Sequence, residues 1–207
     1  MKEFLSIAKQ LVDLTKNDSF ANHFTESPER VSKYWMEIMQ FAINRKNFDS
    51  DVECIKHLLT IKTFEDRINE LDFEDEDISM NKSKNLLFVG PIKVYSVCAH
   101  HYAPIIGNVW CGYQPQKNKI IGLSKLSRIA KLYARQPIVQ ELYTEGLFDL
   151  LKYFTESDRI VVITYMRHLC MESRGINDTN SITTYYKHNL DDAEFQALLS
   201  TVKFEKP

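Results

Sequence analysis

The residues best suited to chemistry begin at Cys98-Ala99-His100-His101, which closes an apolar stretch and precedes a turn marked by Pro104 and Gly107. A thiolate and an imidazole three positions apart, Cys98 and His101, can reach one zinc ion, but two ligands do not make a site. His168-Leu169-Cys170, just past a second apolar stretch, offers a third donor. Convergence of Cys98, His101 and Cys170 would leave the fourth position of zinc open to water, the arrangement of catalytic rather than structural zinc. His100 and His168 would then flank that water, and imidazole is the natural proton carrier near neutral pH. Such a set suits hydrolysis with proton transfer to a leaving nitrogen. On spacing alone, the alternative is a handful of unrelated buried residues.

A second cluster is Ile121-Gly122-Leu123-Ser124-Lys125-Leu126-Ser127-Arg128. A helix opening near Ser124 would turn free N–H groups and its positive dipole end outward beside a hydroxyl, with Lys125 and Arg128 three apart on one side. That is a phosphate seat, although many surface helices begin this way. Arg174 suits a bidentate grip on phosphate, and Gly175 after it permits a backbone bend. Gln140-Glu141 is either an amide and carboxylate pair that reads a base edge or two polar positions on a wet helix face. Cys54 and Cys111 read as small buried hydrophobes. His23, His57 and His188 have no partner at metal spacing in the sequence.

The elements that must position these residues fall into two textures. Residues 1–78 have helical periodicity, with Phe4, Leu5, Ala8, Leu11 and Val12 on one stripe. A second helix is expected to be capped by Ser27 with Pro28 at its first position, carrying Val31, Trp35, Ile38 and Met39 on one face. A third is expected over 52–71, followed by an acidic run at 72–77 that reads as a solvated loop. From residue 79 the pattern changes to strands at 86–89, 92–97 and 105–113, helices at 124–135 and 137–154, strands at 159–165 and 181–186, and a last helix from Asp191. Helices first, then β-β-α-α-β-β, predicts an α+β domain with helices on one face of an antiparallel sheet. The 207 residues suffice for one core, and 44% hydrophobic with 26% charged residues excludes wholesale disorder. A net charge of −2 argues against nucleic acid as a partner, and no apolar run is long enough to span a membrane. Four widely spaced cysteines without a signal peptide point to the cytoplasm rather than to a secreted disulfide scaffold.

Taken together, SPERVSKYW (27–35), SVCAHHYAPIIG (96–107), IIGLSKLSRIAKLYARQPIVQELYT (120–144) and HLCMESRGINDTNSITT (168–184) resemble the GTP cyclohydrolase I family. The segments appear in that family's order across most of the chain. The resemblance implies the tunnelling fold (T-fold), a four-stranded antiparallel sheet backed by two helices. It also implies a homodecamer of two pentameric rings with sites at subunit interfaces. It makes Cys98, His101 and Cys170 zinc ligands and His100 and His168 the acid and base. Ser124 joins that catalytic group and, with Lys125, Arg128 and Arg174, would hold ribose and triphosphate. Glu141, helped by Gln140, would hold guanine, while Arg30 and Lys33 match basic positions contributed across a subunit boundary. The implied reaction turns GTP into 7,8-dihydroneopterin triphosphate with release of formate. Two departures stand near the site: Ala99 where the family usually has Glu, and Leu142 where it usually has Arg. The tail after Thr184 and the short N-terminal helical region also differ. These leave room for an altered purine nucleotide substrate, or for a non-catalytic partner that holds zinc for structure.

Overall fold

The computed structural model describes residues 2–15, 25–66, 86–116 and 120–207, with residues 60–66 described as helix backbone. Four helices lead: α1 (Lys2–Thr15), α2 (Ser27–Ile38), α3 (Gln40–Arg45) and α4 (Asp51–Asp66). The α1 stripe buries Ala8 and Val12. Ser27 is the first residue of α2 rather than its cap; Glu26 takes the cap position and makes no side-chain cap bond. The chain breaks after Ile38, and α3 is a separate short helix that the periodicity did not distinguish. The expected continuation of α4 to residue 71 and the acidic run lie outside the described residues.

The rest of the chain forms β1 (Leu87–Cys98), β2 (Pro104–Tyr113), α5 (Leu123–Tyr133), β3 (Pro137–Ile138), α6 (Gln140–Thr155), β4 (Ile160–His168), α7 (Leu169–Glu172), β5 (Thr183–His188) and α8 (Asp192–Leu199). The two strands expected at 86–89 and 92–97 are one strand, whose register against β2 shifts between Val89 and Ile92. Gly90-Pro91 occupies the shift, where proline has no N–H for the ladder. A Cβ on Gly90 would sit 2.2 Å from the Trp110 ring, so only glycine fits beneath that indole.

Strand order is β3-β1-β2-β4-β5, antiparallel except for β3, which runs parallel to the end of β1. The four-stranded antiparallel expectation is therefore corrected to a mixed five-stranded sheet. Pro137, read from sequence as the start of a helix, instead begins this two-residue edge strand, where a missing N–H is tolerated, and α6 starts at Gln140.

Alternation along β4 explains why it reads as continuously apolar. Ile160, Val162 and Met166 enter a core shared with Leu126 and Ile129 of α5 and Leu147 and Leu151 of α6. Val161 and Ile163 face the other way, onto Trp110, Leu190 and Phe195. A strand apolar on both faces needs two covers. This corrects the expectation of helices on one face: α8 and the segment after it cover the second, with Phe204 ring centroids 5.4 Å from Trp110 and 5.1 Å from Tyr165. Phe41, Cys54, Ile55 and Leu58 of the leading helices share the larger core with the sheet. Burial pushes the Cys54 thiol up to about 11 and the Cys111 thiol up to about 12, so both are inert hydrophobes at neutral pH. No helix among the described residues is long and apolar enough to cross a membrane.

Candidate functional site

Period-two alternation puts Ile92, Val94, Ser96 and Cys98 of β1 on the face that packs against the helices, and the same rule puts His168 on the face of Ile160, Val162 and Met166 in β4. β2 lies between them, with Val97 opposite Pro104 and Ile105 opposite His168, so both strands deliver these residues at one end of the sheet. The β1–β2 turn is tight. The Cys98 N–H donates to Ala103 O at 2.8 Å, the Tyr102 N–H donates to Cys98 O at 2.8 Å, and Tyr102 takes a left-handed φ of 52°. β3 pins the outer side of the turn, since Cys98 pairs with Ile138 and the Ala99 N–H donates to Ile138 O at 2.9 Å.

This turn folds both histidines back on the thiol: Cys98 Sγ lies 3.8 Å from His101 Nδ1 and 3.9 Å from His100 Nδ1. α7 brings Cys170 to the same place, and the ligand atoms of Cys98, His101 and Cys170 all lie within 4.8 Å of one another. Donors around one tetrahedral zinc stand about 3.5–3.8 Å apart. The two thiols and one imidazole therefore fit such an ion with little movement. Cys98 is buried and His101 exposed, which leaves the solvent side of the set open. Burial, then the neighbouring Cys98, raises the Cys170 thiol, while the Arg174 charge lowers it. A bound cation would reverse the first two effects by holding both sulfurs as thiolates.

His168 stands two residues before Cys170, with Nε2 3.0 Å from Gln140 Oε1. Burial holds its pKa below the ordinary imidazole value, and the Glu141 carboxylate partly offsets that. Gln140 is buried, whereas Glu141 beside it on the first turn of α6 is exposed, so the pair does not share one wet face. Arg174 is exposed in the loop after α7, and Gly175 takes the left-handed φ of 62° that the sequence anticipated for a bend.

Ser124, Lys125 and Arg128 are not brought to this end of the chain's own sheet. α5 begins beside Tyr113 at the far end of β2, where the Ile121 N–H donates to Tyr113 Oη at 2.8 Å. It runs back roughly 16 Å toward the Cys98 end, where Ser96 Oγ donates to Gln136 O just after the helix. Ser124, Lys125 and Arg128 occupy the distant first turns of that helix. Arg30 and Lys33 are exposed on α2. Arg30 pairs with Glu26 at 2.5 Å, and Lys33 lines a groove with Phe4, Met36 and Asn44.

A family model for GTP cyclohydrolase I matches residues 6–197. The chain belongs to the GTP cyclohydrolase I family. A relative named GTP cyclohydrolase 1 from Haemophilus influenzae is 33% identical over 164 residues, covering 76% of this chain and 74% of the relative. Another of that name, from Buchnera aphidicola, is 30% identical over 182 residues, covering 87% and 71%. A third, from Bifidobacterium longum, is 42% identical over 98 residues, covering 47% and 49%, so the chain spans about half the length of that relative. The converging end of the sheet and the start of α5 both fall inside the GTP cyclohydrolase I match. The segment 198–207, which completes the cover on the second face, falls beyond it.

Within this chain, sequence reasoning missed the residues that hold the site together. Arg167 grips Glu172 in a bidentate pair at 2.8 and 2.6 Å, clamping α7, and with it Cys170, to the end of β4. Arg167 also donates to Pro207 O at 3.1 Å, tying the last residue to the same clamp. Thr164 and Thr183 bind Gln140 from two neighbouring strands. The only signal for these was an Arg and a Glu five apart flanking the H-x-C segment, and hydroxyls in otherwise apolar strands.

Proposed function

We propose that this chain is a zinc-dependent GTP cyclohydrolase that opens the imidazole ring of GTP, releases formate and forms 7,8-dihydroneopterin triphosphate. The observation that carries this reading is the mutual approach of Cys98, His101 and Cys170 beside His168, in a chain of this family. When bound, zinc would supply a Lewis acid and a water activated near neutral pH, next to C8 of the purine. His100 and His168 carry protons to and from the ring nitrogen and the departing carbon fragment. Glu141 accepts hydrogen bonds from the guanine N1–H and exocyclic amine. Arg174 grips phosphate, and a ligand with about four negative charges needs such local neutralisation on a chain of net charge −2.

The distance of α5's first turn from the cysteines supports a site shared between copies, with Ser124, Lys125 and Arg128 supplied by a neighbouring subunit, and Arg30 and Lys33 by another. A homodecamer of two pentameric rings, built on the T-fold, is the assembly this reading carries. Residues 1–78 and 79–207 then act as one continuous unit, in keeping with their common core. Four unpaired cysteines suit a reducing cytoplasm. Sharing has a direct test: Arg128→Ala and His168→Ala subunits, each inactive alone, should regain part of the activity when assembled together. The same should hold for Lys33→Ala paired with His168→Ala. Mixed oligomers without any rescue would place the basic residues in their own chain's site or outside it.

Ala99 and Leu142 favour one second reading, a site adjusted to another purine nucleotide or to slower turnover. Ala99→Glu should raise kcat roughly tenfold with KM nearly unchanged, because a carboxylate beside the histidines would orient or relay a proton. A fall in kcat with zinc retained would mean that the pocket is built around the smaller residue. Formate release from GTP measured against ATP and other purine triphosphates tests the proposed substrate. GTP should be the strongly preferred nucleotide, and preference for another would overturn that assignment.

A further inference from the structure

We infer that Gln140 is a positioning residue that fixes which ring nitrogen His168 presents to the site, and that it does not read the base. Its side chain is 4% exposed and all its bonding capacity is used inside the protein. Gln140 Nε2 lies 3.2 Å from Thr183 O, 3.3 Å from Thr164 O and 3.0 Å from Thr164 Oγ1. Two of these are backbone carbonyls, which only accept, so the amide nitrogen must face them and the amide orientation is decided by its surroundings. The oxygen then faces the other way, accepting from the Thr183 hydroxyl and meeting His168 Nε2 at 3.0 Å.

An amide oxygen cannot donate. His168 Nε2 must therefore carry the hydrogen, and in the neutral ring Nδ1 is left with the lone pair. Both hydrogens and both lone pairs of the Gln140 amide are then engaged, with none left for guanine. Recognition of the base falls to the exposed Glu141 one position on. Thr164 and Thr183 stand on adjacent strands, with Thr183 opposite Met166, so two strands and the first turn of α6 lock the amide in place. This inference rests on the proposed reaction for its kinetic consequence, but the tautomer is a property of the resting protein.

The test is solid-state NMR of zinc-loaded protein labelled with ¹⁵N at its six histidines, with the His168 signals assigned by their loss in His168→Asn. His168 should show a protonated Nε2 and an unprotonated Nδ1. Gln140→Leu should release that preference and lower kcat for GTP roughly 10- to 100-fold, with KM within about threefold and zinc retained. A neutral His168 ring with its hydrogen on Nδ1 and none on Nε2 in the unaltered protein would overturn the inference without any variant having to fold. So would a Gln140→Leu protein whose KM rises while the His168 signals stay in place, since that is the behaviour of a base reader. A chain that shows the expected tautomer but opens no GTP would sink the proposed reaction and leave the positioning intact.

Discussion

Cys170→Ser is expected to reduce bound zinc from about one per chain to a small fraction, and to take GTP opening down to background. A serine hydroxyl is a far poorer zinc ligand than a thiolate, and the set would fall to one sulfur and one nitrogen, Cys98 and His101, already 3.8 Å apart. The fold should survive. Cys170 is half-buried at the margin of the core, and α7 remains clamped through Arg167 and Glu172. Zinc content by elemental analysis, set beside thermal unfolding, separates loss of metal from loss of structure. Stoichiometric zinc in the variant would remove Cys170 from the site.

Glu141→Ala should act on the other half of the problem. A carboxylate that accepts from the guanine N1–H and amine discriminates strongly, because adenine offers a lone pair and no amine at those positions. Removing it should lower kcat/KM for GTP by roughly 10²- to 10³-fold while zinc stays bound, and preference over ATP should collapse with it. The exposure of Glu141, beside a glutamine whose amide is fully engaged, makes it the polar side chain at the start of this helix that is able to meet a ligand. Unchanged GTP kinetics in a zinc-replete Glu141→Ala protein would reduce it to an ordinary surface carboxylate.

Much of this arrangement was legible in the residues because the signals were local. Cys98, His100 and His101 lie within one turn, His168 and Cys170 within another, and their approach needed only two antiparallel strands ending at the same edge of a sheet. The apolar run of β4 was legible as a strand, but its second cover was not: helices were expected on one face only, whereas Val161 and Ile163 pack under α8 on the other. β3 escaped notice because two residues carry no period, and Pro137 argues for a helix start as readily as for an edge strand. Gln140 looked like a surface amide because polarity was read without the depth of the strands behind it; Thr164 and Thr183 make its burial tolerable by meeting each polar atom. The separation of α5 from the cysteines was invisible for a different reason. Chain order shows that a helix follows a hairpin, but which end of the sheet it starts from depends on the loop through Ile121 and its bond to Tyr113.

The most direct test of zinc-dependent ring opening is the fluorescence of the oxidised product. Protein of verified zinc content is incubated with GTP, the mixture is oxidised and dephosphorylated, and neopterin is separated and measured. A neopterin signal matched by an equal yield of formate, abolished by a chelator and restored by added zinc, is the predicted result. Folded, zinc-replete, assembled protein that yields no neopterin from GTP would contradict the account.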